Sequence, residues 1–361
     1  MKTRSVKIIL MAAAMLGAGL FNSCDSDDDA APVVKTELVA SVAAANLLLT
    51  TSIEGVGTGN YVKGSKAPLE AAVAAAQAVV DDATATQAVV TNATVALAAA
   101  VTVYEGQKVV PIDPTNLVGQ WTFDELTSVA AGTAVKDYSG KNFNGAIKAG
   151  HSTLGSVLPV LTADRYNIAG KALKFDKGAN VEIPYNTALN PPAISISVWV
   201  KLNATRNNRF IGLHSWIGYK FEVQDANVPF GTIGHTGGSY DRNGGVTLNN
   251  NQWYHLVMTH VAGTMVFYVD GIPVKTETDV PNPAVSISGK PYNLVLGQDF
   301  PTDKYVLVAN DANFNNVAHA DYHVIPLPWG GYLNGSLDEV RIYKTALTAS
   351  QVTSIYNTEK P

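Results

Sequence analysis

Cysteine is all but missing: the 361 residues contain one, Cys24. No intramolecular disulfide can form, and no zinc site with more than one thiolate. Charged residues are also scarce, at 15% of the chain, with 25 basic against 30 acidic. Three of the basic ones, Lys2, Arg4 and Lys7, stand in the first seven positions; without them the balance is 22 to 30, a net charge of −8. No cluster of Lys and Arg remains beyond the N-terminus, so the basic footprint that nucleic acid requires is absent. The signatures of common catalytic machinery are absent as well. There is no Gly-x-Ser-x-Gly, no His-Glu-x-x-His and no phosphate loop.

What is present is a hydrophobic share of 47%, enough for a sizeable core. The N-terminus reads as an address. Basic residues up to Lys7 precede an apolar stretch from Ile8 to Phe21, too short to cross a bilayer comfortably. Leu20-Phe21-Asn22-Ser23-Cys24 follows and resembles a bacterial lipobox of the Bacteroidetes type, after which Cys24 is the lipidated first residue. Asp25-Ser26-Asp27-Asp28-Asp29 resembles the acidic export tag of surface lipoproteins. These resemblances imply a signal peptide at 1–23, an acidic tether at 24–32, and a lipid anchor displayed on the outer face of the outer membrane. Several acyl chains, at about 0.8 kcal/mol per buried methylene, make a durable anchor.

From Val33 to about Gln107 the chain turns rich in Ala, Val and Leu at helical spacing. Leu38, Val42, Ala45 and Leu49 form one stripe; Leu69, Val73, Ala76 and Val80 a second; Val90, Ala93, Leu97, Val101 and Tyr104 a third. Thr84 and Gln87 have the spacing of a capping box for the third helix. Glu54-Gly55, Gly59-Asn60-Tyr61 and Thr86-Gln87 resemble the small three-helix modules of the FIVAR type in bacterial surface proteins. That resemblance implies a three-helix module over 33–108, acting as a stalk or weak ligand binder. Pro111-Ile112-Asp113-Pro114 lies in a stiff linker, 109–116.

Beyond the linker, short alternating runs are separated by Gly, Asn, Pro and Asp. Ile194, Ile196, Val198, Val200 and Leu202 alternate with Ser195, Ser197, Trp199 and Lys201. Tyr254–His260 and Met265–Val269 read as strands joined through Ala262-Gly263, and Asp270-Gly271 as a tight turn into another. The motifs Gly119-Gln120-Trp121-Thr122-Phe123-Asp124-Glu125, Lys136-Asp137-Tyr138-Ser139-Gly140 and Gly170-Lys171-Ala172-Leu173-Lys174-Phe175-Asp176 come first. Ser197-Val198-Trp199-Val200, Trp253-Tyr254-His255, Phe267-Tyr268-Val269-Asp270-Gly271 and Leu333-Asn334-Gly335-Ser336-Leu337-Asp338-Glu339 follow in order. Together they resemble the laminin-G-like, concanavalin A-like lectin domains of bacterial surface proteins. A capping box at Thr348 and Gln351, with Leu347 placed to meet Val352, predicts the short C-terminal helix of that family.

The resemblance implies an α plus β multidomain chain. An N-terminal three-helix bundle is followed, over 117–361, by an antiparallel β-sandwich jelly roll. Glucanases share this fold, but their acids lie along one strand as Glu-x-Asp-x-(x)-Glu, a run absent here, so no enzyme is expected. Asp124-Glu125 and Asp338-Glu339 are adjacent pairs, whose side chains point to opposite faces of a strand. The family often binds structural Ca2+ where the acids of its first and last strands meet, which here are Asp124 and Asp338, with the Asp137–Asn144 loop nearby. The other reading is that Asp338 only fixes a turn and Asp124 is solvated.

His319, Asp321 and His323 alternate as metal ligands could, though a surface histidine pair is the commoner outcome. Trp121, Trp199 and Trp253 fall in strand motifs and are expected in the core. Trp216 and Trp329, with Tyr332, sit in loop-like sequence where an aromatic plane could stack on a sugar, or where it could simply pack. From Gln298 to Gly331 the chain departs from the family pattern by a long insertion, the best lead to specificity. The expectation is a surface lipoprotein with a non-catalytic carbohydrate-binding domain; the rival is a module docking to a cell-surface protein. The partners are then a glycan or a cell-surface protein, and the membrane through the anchor.

Overall fold

The computed structural model describes residues 32–361 apart from 225, 236–237, 282–291, 308–316 and 320–330. The lipobox and Cys24 therefore lie outside the described residues, as do Trp329, Asp321 and His323, and the side chain of His319.

Three helices open the described chain: α1 (Thr36–Thr51), α2 (Lys66–Asp81) and α3 (Gln87–Glu105). Their apolar stripes meet in one core of Leu38, Val42, Ala45, Leu49, Leu69, Val73, Ala76, Val90, Leu97 and Tyr104. Val80, Ala93 and Val101 are only partly covered. The glycine-rich connection is anchored by Tyr61, whose ring stacks on Tyr104 at 4.2 Å between centroids. Glu54 Oε1 accepts a hydrogen bond from Lys66 N (2.7 Å) at the start of α2. The third helix starts later than Thr84 suggests. Thr86 is its N-cap, accepting from Val89 N, while Thr84 donates to Asp82 in the preceding turn. Two threonines competed for one cap, and the Asp82 carboxylate claimed the first.

The linker is laid against the C-terminal helix, α4 (Ala349–Glu359). Val110 N donates to Ser354 Oγ (2.9 Å), Gln351 Nε2 donates to Pro111 O (2.8 Å), and Ile112 packs on the cluster beneath the helix.

Strands follow in the order β1 (Leu117–Trp121), β2 (Ala134–Val135), β3 (Gly145–Lys148), β4 (Val160–Thr162), β5 (Ala172–Phe175) and β6 (Asn180–Ile183). Next are β7 (Ile194–Leu202), β8 (Asn208–Leu213), β9 (Tyr219–Gln224), β10 (Val228–His235), β11 (Gly238–Asn243) and β12 (Trp253–Val261). Last come β13 (Thr264–Val269), β14 (Ile272–Glu277), β15 (Leu294–Leu296), β16 (Tyr305–Leu307), β17 (Val317–His319) and β18 (Gly335–Tyr343). The first sheet runs β14-β13-β12-β7-β18-β5-β4, with β1 also on β18; the second runs β11-β10-β9-β8-β15-β6-β3-β2. All of their pairings are antiparallel. This is the concanavalin A-like sandwich.

The two hairpins expected in the first sheet form as read. Ala262 and Gly263 take φ of 49° and 85°, and Asp270 and Gly271 take 51° and 77°, as primed turns require. Residues of alternate parity on both sheets interleave in the main core, each fully buried Leu, Ile, Val or Phe contributing about 1.5–3 kcal/mol. Of the three tryptophans expected there, Trp121 is in it. Trp199 is buried on the opposite, outer face of its strand, and Trp253 is half-exposed with Lys201 over its ring. In β7 the apolar residues face the core, so the alternating Trp199 must face away from it.

That outer face of the first sheet is closed by α4. The capping box of Thr348 and Gln351 starts the helix, and Leu347, Val352 and Ile355 pack on Val257, Tyr268 and Tyr343. Glu359, in its last turn, receives the Trp199 indole N–H (2.9 Å) and the Arg341 guanidinium (2.7 Å).

Candidate functional site

With α4 packed on the outer face of the first sheet, the outer face of the second is the other place where the sandwich can hold a ligand. Along β9, Tyr219, Phe221 and Val223 enter the core, so Lys220 and Glu222 stand on the outer face of the second sheet. Arg209 of β8 joins them. Two glycines let backbone cross close above this face. A Cβ on Gly212 would lie 2.3 Å from Asp299 O, and one on Gly234 would lie 1.8 Å from Ile217 O. The chain leaving β15 thus lays Asp299 directly over the sheet, and the 214–218 loop crosses beside it.

The result is a buried ionic cluster. Arg209, Glu222 and Asp299 are 0% exposed and Lys220 is 1% exposed. Arg209 Nη1 contacts Glu222 Oε1, Lys220 Nζ lies 3.4 Å from the same oxygen, and Arg209 Nε lies 3.9 Å from Asp299 Oδ2. Burial pulls the Lys220 amine below its ordinary pKa and pushes the Asp299 carboxyl above its own; in each case oppositely charged neighbours resist the shift. Two cations and two carboxylates buried together compensate each other, whereas any one alone would be costly. Trp216 and Phe230 flank the Lys220 ammonium at 4.5 and 5.6 Å from their ring centroids.

Asp299 also closes the base of the 298–331 insertion. Its carboxylate accepts from Tyr305 Oη and from Gly331 N (3.4 Å), its carbonyl accepts from Ser215 Oγ (3.0 Å), and Gln298 bridges to Tyr332. Phe300, Tyr305 and Tyr332 gather here with Tyr292, and Trp216 packs at their edge, 5.7 Å from Phe300. Burial lifts the Tyr305 hydroxyl well above its usual range.

Beside this cluster the outer face opens into a cleft of about 730 Å³, within the size range of small-molecule sites. Lys148 of β3 and Glu182 of β6 point into it because their neighbours Ile147, Val181 and Ile183 point inward. Tyr292, Thr302, Lys304 and Tyr305 line it as well.

The sequence-derived residues divide as follows. Trp216 and Tyr332 do meet in one aromatic cluster, as a shared surface requires. Tyr332, however, is only 6% exposed, with the Arg206 guanidinium 4.0 Å from its ring centroid, so it supports the site from beneath. Trp216 is half-buried, between Phe300 and the Lys220 ammonium. Trp329 lies outside the described residues.

Asp124 and Asp338 share one electrostatic neighbourhood, but the positive charge that faces both is a guanidinium. Arg165 Nη1 lies 2.5 Å from Asp338 Oδ2; burial and the Glu339 charge hold Asp124 above its ordinary pKa, against the pull of Lys171 and Arg165. Burial likewise outweighs the Arg165 charge at Asp338 and lifts it to about 8. The Asp137 carboxylate is spent on its own loop, accepting from Gln120 N, Ser139 N and Phe143 N. Among the described residues no group of three or more His, Cys, Asp and Glu side chains could hold a metal ion. The expected opposition of Asp338 and Glu339 is altered by a bulge, with Glu339 at φ 49°, which delivers Glu339 to Arg341 at 2.5 Å.

The ionic cluster itself was not anticipated. Its one sequence signal is the alternation Tyr219-Lys220-Phe221-Glu222-Val223, charges on one face and apolar residues on the other. Asp299 lies too far along the chain for any local pattern to pair it with Arg209.

Comparison with known proteins agrees with this architecture. Residues 175–311 match the family described as the concanavalin A-like lectin/glucanases superfamily. Among solved structures, the chain is similar to domain 4 of AbnA, a GH43 extracellular arabinanase from Geobacillus stearothermophilus, in complex with arabinotriose. That similarity has 21% identity and a TM-score of 0.46, over 67% of this chain and 98% of that one. It is also similar to the binding domain of Paraclostridial Mosquitocidal Protein 1, at 16% identity and a TM-score of 0.45, over 68% of this chain and 52% of that one. The binding domain of botulinum neurotoxin DC, in complex with rat synaptotagmin II, is similar at 13% identity and a TM-score of 0.44, over 68% and 52%. This chain thus spans about half the length of the two toxin binding domains. No curated protein matches it.

Proposed function

We propose that this protein is a non-catalytic glycan-binding lipoprotein of the outer cell surface, anchored through Cys24 and holding its ligand on the outer face of the second sheet. One observation carries the reading. Of the sandwich's two outer faces, one carries α4, while the other bears a polar cleft lined by Tyr292 and Tyr305 together with Lys148, Glu182 and Lys304. Sugar rings are recognised by this combination of aromatic planes and hydrogen-bonding groups.

The acids of the ionic cluster support binding rather than hydrolysis. Glycoside hydrolysis needs a pair of carboxyls flanking an accessible bond. Glu222 and Asp299 are instead wholly buried and both face Arg209. Screening the full-length protein on a glycan array tests the proposal. A ranked set of bound oligosaccharides, competed by the same sugars in solution and recovered intact, is the expected result. Cleavage of the bound sugar would turn the reading to an enzyme, and an empty array would turn it to a protein partner.

A further inference from the structure

The cleft's own charges point to the kind of sugar it takes. Lys148 Nζ makes no hydrogen bond or ion pair among the described residues, although its side chain stands at the mouth of the cleft. Lys304 lines the same cleft, with its Nζ 5.3 Å from the centroid of the Tyr292 ring. Its only acidic neighbour among the described residues is Asp303, at 3.2 Å, and that carboxylate is 72% exposed and so strongly screened. The remaining acid of the cleft, Glu182, is committed to protein donors. Oε1 accepts from Thr302 N and Oε2 from Asn293 Nδ2, each at 3.2 Å. The Glu182 carboxylate thus has its hydrogen bonds met by the fold, whereas Lys148 makes none among the described residues and Lys304 shares only the exposed Asp303.

We propose that this cleft binds an acidic oligosaccharide, whose carboxylate or sulfate group sits between Lys148 and Lys304. The inference deepens the glycan-binding reading and rests on it. In a chain of net negative charge, two lysines lining one cleft give an anionic sugar a local attraction. A neutral sugar would leave Lys148 facing only water, with no gain from its charge. The Tyr292 ring is largely covered by His214, at 4.2 Å between centroids, so the wall beside Lys304 is rigid.

The test uses full-length protein and three probes. They are trigalacturonate, galactotriose of the same linkage as its neutral match, and a sulfated carrageenan tetrasaccharide. Calorimetric titration is expected to show at least one acidic probe bound about tenfold or more tighter than galactotriose, with the tighter acidic probe identifying carboxylate or sulfate as the recognised group. Raising salt from about 50 to about 500 mM NaCl is expected to erase much of that preference, and to leave galactotriose binding nearly unchanged. Lys148→Gln and Lys304→Gln, made separately, are each expected to remove most of the acidic preference while the melting temperature stays put, since both ammonium groups reach solvent. Galactotriose bound as tightly as both acidic probes would overturn the inference and leave the glycan reading standing. Binding of none of the three would also overturn it, and the glycan array then decides the glycan reading separately. An acidic preference that survives both lysine substitutions would place recognition elsewhere and overturn it as well.

Discussion

Asp299 Oδ2 lies 3.9 Å from Arg209 Nε, with both side chains fully shielded from water, and the same carboxylate fastens both ends of the 298–331 insertion. The pair ties the segment that leaves β15 to the middle of the second sheet. Removing the carboxylate alone strands part of the positive charge. Asp299→Ala is expected to destabilise the sandwich by about 3–5 kcal/mol, read as a drop in the urea midpoint. The double variant with Arg209→Met should recover part of that loss. Equal stability of Asp299→Ala and the unaltered protein would mean that the pair contributes nothing.

His255 makes acid stability a second test. Burial holds its imidazole at about 3, against an ordinary value near 6.5, with the nearby Arg341 and Arg165 charges adding to the effect. The folded state therefore binds this proton more weakly than the unfolded chain. The contribution is fully present above the unfolded pKa and is lost as pH falls from about 6.5 towards 3, at about 1.4 kcal/mol per unit. The ring also hydrogen-bonds to Ser197 Oγ at 2.8 Å. Unfolding free energies measured from pH 7 down to pH 4 should fall more steeply for the native protein than for His255→Gln. Parallel curves would show that the histidine titrates the same in both states.

The cation between the first-strand and last-strand acids is a third test. If Arg165 supplies the charge that Asp124 and Asp338 need, a chelator and added Ca2+ should leave the melting temperature of the metal-free protein unchanged. Arg165→Met should lower it, because Arg165 Nε also holds the Glu359 carbonyl at 2.7 Å at the end of α4. A rise on adding Ca2+, about 2.7 kcal/mol at a hundredfold excess over Kd, would instead support the calcium site that the family resemblance implies.

These sites show what was legible in the chain and what was not. Periodicity carried the helices and strands, and turn chemistry carried the hairpins at Ala262-Gly263 and Asp270-Gly271. The capping box at Thr348 and Gln351 was equally local, and so equally readable. Thr84 misled because a cap is a competition, and Asp82 was the better partner for its hydroxyl. Trp199 misled because a large apolar ring suggests the core, whereas α4 creates a second buried layer outside the sheet. Arg165 with Asp338, and Arg209 with Asp299, join residues far apart in sequence, and only the pairing of the sheets brings them together. Trp216 and Tyr332 were singled out for their loop-like surroundings. The fold unites them, but burial gives Tyr332 a supporting place.

Anchoring at Cys24 predicts that the native protein partitions into the detergent phase of a Triton X-114 extraction. Cys24→Ala should leave it in the aqueous phase with an unchanged circular dichroism spectrum. A variant that still partitions with detergent would remove the lipid anchor from the account.

The central claim is that a glycan occupies the outer face of the second sheet. Hydrogen exchange on the full-length protein, with and without the best oligosaccharide from the array, tests it most directly. The account predicts slowed exchange at 148–152 and 292–305, with α4 and the outer face of the first sheet unaffected. Protection confined to α4 or the helical module, or no protection by any bound sugar, would contradict it.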